Sequence, residues 1–109
     1  MATNTFTSYV NKNVGTSAAT VVTVGASTQT TVIGMSCANT TTSPVTVDAY
    51  FTRSAVDYYL IKGATVPVGS SLVIVGGDQK VVLITSDVLK VVSSVATSVD
   101  VVTSVLNIT

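Results

Sequence analysis

Apolar and polar residues alternate along much of this chain. Between Val45 and Thr52 the odd positions are apolar and the even positions are mostly polar, which is the period of a half-buried β-strand. The side chains predicted to face inward here are Val45, Val47, Ala49 and Phe51, and Tyr50 is predicted to face outward. The final segment, residues 98–108, has apolar residues on both faces, so we expect both of its faces to be covered.

Turn residues divide the rest of the chain into further short strands. Gly, Asn and Pro separate segments rich in Val and Thr, and the Gly76–Gln79 segment predicts a hairpin loop. Residues 53–57 are predicted to form a loop. The predicted strands cover residues 6–10, 19–24, 30–37, 45–52, 58–62, 72–75, 80–84, 88–93 and 98–108. We predict one all-β domain over residues 1–109, an antiparallel β-sandwich, Ig-like or jelly-roll-like, with about eight short strands.

Composition supports strands over helices. Twenty-three Val, nineteen Thr and thirteen Ser make up about half of the 109 residues, and β-branched side chains favour a pleated surface. The segment from Ser86 to Val105 is the one stretch that could suggest a helix. It is dominated by Val, Ser and Thr and lacks a run of helix formers, so we predict strands there.

Few residues carry charge, and the charges balance. Five Lys and Arg residues match five Asp residues, and together they are 9% of the chain, against about 25% in an ordinary domain. Without a basic stripe we expect no nucleic-acid partner. The apolar runs are too short for a membrane span, and no secretion signal is visible, so we expect no membrane partner. A neutral, apolar surface predicts assembly, and we expect a homo-oligomer.

Catalytic and metal-binding residues are scarce. The chain contains neither His nor Glu, which removes common general bases and metal ligands. Cys37 has no His partner and is predicted to be a core residue. Asp78 and Asp87 flank one predicted hairpin, where they are predicted to form turns rather than to bind metal. We predict no enzyme activity, no catalytic residue, no metal site and no cofactor.

The aromatic residues are the candidates for binding a partner. Adjacent Tyr58 and Tyr59 must face opposite sides of a strand, so one is predicted to be core and the other exposed. An exposed Tyr can anchor a protein interface or stack on a sugar, and the interface is the simpler reading. The candidate interface residues are Phe6, Tyr9, Tyr50 and Tyr59.

Residues 30–108 resemble a family of small virion structural proteins of tailed bacteriophages, of the T4-like and cyanophage type. The segments that carry the resemblance are Asn39-Thr40-Thr41-Thr42, Asp57-Tyr58-Tyr59-Leu60-Ile61-Lys62, Val66-Pro67-Val68-Gly69-Ser70-Ser71-Leu72, Gly77-Asp78-Gln79-Lys80-Val81-Val82-Leu83, Asp87-Val88-Leu89-Lys90-Val91 and Ser98-Val99-Asp100-Val101-Val102. The glycine expected before Asp87 is replaced by Ser86. The resemblance implies a β-sandwich component of the particle, without catalysis.

The resemblance and the uncharged surface together predict a capsid decoration (cement) protein. Its partners would be the major capsid protein or other virion proteins, and its location the virion, after synthesis in the host cytoplasm. Residues 1–14 are predicted to form an arm or edge strand that pairs with a neighbour by strand addition. The alternatives are a tail, neck or baseplate component, and a receptor- or glycan-binding module that uses Tyr50 or Tyr59.

Overall fold

A computed structural model describes residues 3–76 and 79–109, and these residues form nine β-strands. The strands are β1 (Asn4–Val14), β2 (Ala19–Thr23), β3 (Gln29–Asn39), β4 (Val45–Arg53), β5 (Val56–Val66), β6 (Ser71–Val75), β7 (Val81–Leu83), β8 (Val88–Ser93) and β9 (Val99–Ile108). The all-β prediction is therefore confirmed. Residues 86–105 contribute strands β8 and β9, as predicted.

The strands form two antiparallel sheets that pack as a β-sandwich. Sheet A has the order β1-β9-β3-β6, with β7 also paired to β3, and sheet B has the order β2-β8-β4-β5. All the pairings are antiparallel. None of the described residues forms a helix of the length and apolarity that a membrane span requires.

The core between the sheets consists mainly of valine. Fourteen of the twenty buried hydrophobic residues in the described part of the chain are Val, and their short branched side chains suit closely stacked sheets. Val45, Val47 and Ala49 are buried as predicted, and Phe51 is half-buried. On β9, alternate residues from Val99 to Val105 are buried.

One polar group in this core lacks a partner. Thr103 is completely buried, and its Oγ1 atom makes no hydrogen bond to any described residue. Because a buried hydroxyl without a partner is destabilising, Thr103→Val should raise the free energy of unfolding by about 1 kcal/mol. Urea titration measures this change. Thr31→Val, at a half-buried outward position of the neighbouring strand β3, is the control, and an equal gain there would contradict the explanation.

Several strands are longer than the sequence predicts. Strands β1, β3 and β5 each have 11 residues. The first strand continues beyond residue 10, β3 extends at both ends beyond residues 30–37, and the loop predicted at residues 53–57 is reduced to Ser54 and Ala55. The β1 strand continues to Val14 through an irregularity. Ser54 and Ala55 have positive φ angles of 53° and 63°, respectively. These two residues form a two-residue hairpin turn between β4 and β5.

The predicted hairpin of β6 and β7 is wrong. Both strands pair with β3, β6 beside Met35–Ala38 and β7 beside Thr30–Val32, so they follow one another along the same edge. The alternation of the sequence located both strands but could not identify their partner. Gly77 and Asp78, in the middle of the predicted loop, lie outside the described residues, and so does the turn role predicted for Asp78.

Candidate interaction surfaces

The outer side of sheet A carries two rows of hydrophobic side chains. The strand register aligns each row across the sheet. One row consists of Phe6, Leu106, Thr31 and Val82, the other of Val10, Val102, Ser36 and Val73, and between them lie Ser8, Ser104 and Gly34. We call these eleven residues the apolar face.

The apolar face is exposed and uncharged. Five of its large hydrophobic side chains, those of Phe6, Val10, Val73, Val82 and Val102, are between 49 and 75% exposed. None of its eleven residues is ionisable. At the spacing of strands and residues in a sheet, the face covers roughly 400 Å². A patch of this size matches the largest apolar patch of an ordinary monomer, and such patches often have a function.

An ion pair marks one end of this face. Lys12 Nζ lies 2.8 Å from Asp100 Oδ2, and the Asn13 backbone N–H donates to the same carboxylate. These two hydrogen bonds, with that of Lys12 the stronger, hold the pKa of Asp100 below its usual value. The Lys12 side chain is largely exposed, so the pair contributes little stability.

The outer side of sheet B is different, because it carries charge. The side chains that give it this character are Asp48, Tyr50, Asp57, Tyr59, Lys62 and Lys90, which we call the charged face. The Tyr50 and Tyr59 rings lie 4.9 Å apart, and Lys62 Nζ lies 4.8 Å from the centre of the Tyr59 ring. Partial burial raises the pKa of Tyr50, and the nearby Asp57 adds to this effect. The two outer sides of the sandwich thus have opposite chemical character.

The four candidate interface residues do not form one site. Phe6 lies on the apolar face, and Tyr50 and Tyr59 lie on the charged face. Tyr9 is half-buried, packs against the core, and its hydroxyl accepts a hydrogen bond of 3.4 Å from Asn107 Nδ2. The sequence analysis missed Val10, Val73 and Val82, since their alignment depends on pairings between distant strands.

Tyr58 is not a core residue, which corrects the prediction for the Tyr58–Tyr59 pair. The two side chains are 48 and 45% exposed. They point to opposite sides of β5, but β5 is an edge strand and its beginning extends beyond the core. Tyr58 instead stacks on Phe51, with the ring centres 5.4 Å apart.

Arg53 and Asp87 form an ion pair that fastens the end of β4 to the turn before β8. Arg53 Nη2 lies 2.6 Å from Asp87 Oδ2, Arg53 Nε donates to both carboxylate oxygens, and the Ile84 N–H also donates to Oδ2. The Asp87 side chain is 1% exposed. The Arg53 hydrogen bonds hold the pKa of Asp87 below its usual value, against the opposing effect of burial. The carboxylate is therefore used in holding the fold together.

Groups suited to chemistry are sparse in the part of the chain that the structure describes. Cys37 is fully buried, and this burial raises the pKa of its thiol to about 12. The described residues include no cluster of three potential metal ligands and enclose no pocket. The exposed surfaces on the two sides of the sandwich are the features with which the described residues can engage a partner.

Comparison with known proteins shows a similarity of fold. No family model matches the chain, and no curated protein matches it. Among solved structures, the chain is similar to one described as "Bacillus endospore appendages form a novel family of disulfide-linked pili", with a TM-score of 0.57 and 14% sequence identity. The similarity covers 97% of this chain and 86% of the other. At this identity the similarity shows a shared β-sandwich fold.

Proposed function

We propose that this protein is a non-enzymatic structural subunit of a tailed-phage virion, with capsid decoration as its role. The observation that carries the proposal is the apolar face, an uncharged surface with five exposed large hydrophobic side chains. Packing this face against neighbouring subunits removes apolar area from water and requires no charged group to lose its hydration. The charged face on the opposite side then remains in solvent.

The proposed partners are the major capsid protein or other virion proteins, with the protein located in the virion. The resemblance to phage structural proteins supports this choice, and the solved structure with the same fold is described as a pilus, which is itself an assembly. That pilus is described as disulfide-linked. Here the one cysteine, Cys37, is fully buried, so we propose that contacts between subunits are non-covalent.

Counting copies in purified particles tests this role. Particles from the host lysate that produces the protein are separated on a density gradient, and the protein is quantified against the major capsid protein by mass spectrometry. Decoration predicts hundreds of copies per particle, because the capsid lattice repeats its binding site. A few tens of copies or fewer would favour the alternative of a tail, neck or baseplate component, and absence from particles would contradict the proposal.

A further inference from the structure

The open edge of β1 offers unpaired backbone groups to a neighbour. Strand β1 lies at the end of sheet A and pairs with β9 on one side. Thr3 and Thr109 exchange two backbone hydrogen bonds of 2.9 and 3.0 Å. In an antiparallel pair such residues recur at every second position, so Thr5, Thr7 and Tyr9 bond to β9. The N–H and C=O groups of Phe6, Ser8 and Val10 therefore point away from β9, along the open edge.

The other sheet edges in the described residues carry features that discourage pairing. Strand β5 has two register irregularities and carries Asp57 and Lys62. Strand β2 is five residues long, irregular, and its Thr20 carbonyl accepts a bond from the Asn11 side chain. Strands β6 and β7 are short and separate. By contrast, Asn4–Val10 of β1 has no charge, proline or register shift, and such an edge favours strand addition.

We infer that a second copy of this chain pairs with β1 antiparallel to it, about a twofold axis at Ser8. In this register Ser8 lies opposite Ser8 of the second copy, and Phe6 lies opposite Val10. Phe6, Ser8 and Val10 all direct their backbone N–H and C=O groups to the open edge. Each pair that they form with the second copy can therefore exchange two hydrogen bonds. Lys12 lies opposite Asn4, which keeps like charges apart.

The same register joins the apolar faces of the two copies. The row that ends at Val10 in one copy continues into the row that begins at Phe6 in the other, on the same side of the extended sheet. One apolar face covers roughly 400 Å², and the pair presents roughly 800 Å², which is what one partner contributes to an interface of standard size. This inference deepens the proposed function, because it supplies the surface with which a pair of copies would attach to the particle.

Cysteine cross-linking tests the register on the purified full-length chain. At a hydrogen-bonded pair the two Cα atoms lie about 5.5 Å apart, within the range of a disulfide. Ser8→Cys should therefore give a covalent dimer under mild oxidation, at least tenfold faster than Ser104→Cys. Ser104 is exposed in the same row but one strand further from the axis. Equal rates for the two variants would overturn the register, and buried Cys37 is common to both.

A proline at the same position tests the pairing itself. Ser8→Pro removes an N–H that faces the open edge and leaves the bonds to β9 intact, so the fold should persist. Light scattering at about 100 µM should show a dimer for the unmodified chain and a monomer for Ser8→Pro, with equal circular dichroism. An unmodified chain that is monomeric, or a Ser8→Pro variant that stays dimeric, would overturn the pairing. Particle occupancy is measured separately, so a failure of the pairing and a failure of the virion role are distinguishable.

Discussion

Val102→Asp should weaken binding of the protein to particles by more than about a hundredfold. Val102 lies in the second row of the apolar face, between Val10 and Ser36, and is 49% exposed. If this face packs against neighbouring subunits, the new carboxylate loses its hydration, and Lys12, the cation at this end of the face, is already paired with Asp100. The measurement is a titration of tagged protein onto particles from which the unmodified protein has been removed.

Val88→Asp is the matched control for this prediction. Val88 is a half-buried valine on the outer side of sheet B, and its strand, β8, has a neighbouring strand on each side, as β9 does. Lys90 is on the same side of that strand and can offset the added charge. Val88→Asp should bind nearly as well as the unmodified protein. If Val102→Asp bound as tightly as the unmodified protein, or if both variants lost affinity equally, the apolar face would not be the contact surface.

Asp87→Asn should lower the free energy of unfolding by about 3 kcal/mol. This value is near the lower limit of the cost of breaking a buried ion pair, because the side chain of the partner, Arg53, is 37% exposed. For a domain of this size, the thermal midpoint should fall by more than about 10 °C. Asp100→Asn breaks the exposed pair with Lys12 and should cost less than about 1 kcal/mol. Similar losses in the two variants would contradict the role assigned to Asp87.

The stabilising effect of Asp87 should also depend on pH. Because the pKa of Asp87 is lower in the folded state, its contribution is complete above the unfolded pKa of about 3.9 and is lost as the pH falls through the folded pKa. The difference in stability between the unmodified protein and Asp87→Asn should therefore be constant near neutrality and shrink below about pH 4. A difference that grows on acidification would contradict this assignment.

The sequence predicts the strands better than it predicts their partners. Alternation identified the buried side of β4, because each residue's side of a strand depends only on its parity. The partner of a strand depends on residues far away in the chain, and this is why β6 and β7 were predicted to pair with each other rather than with β3. The pairing of Arg53 with Asp87, 34 residues apart, gave no signal in the sequence for the same reason.

For the candidate surface, too, the sequence predicts what lies within one strand and not how the strands align. The sequence indicated an uncharged exterior, and it placed apolar residues such as Val102 and Leu106 on the second side of β9. It predicted that this side would be covered, whereas in the single chain Val102 remains exposed. That Phe6 and Val82 extend the row through Leu106 depends on the register of four strands. Parity within one strand cannot supply that register.

A cryo-EM reconstruction of purified particles tests the central claim most directly, because it shows which side of the sandwich meets its neighbours. Our account predicts density for this domain at a repeated position, with Val102 and Phe6 against adjacent subunits and Tyr50 and Lys90 toward solvent. A domain that contacts its neighbours through the charged face, and leaves the apolar face in solvent, would contradict the account.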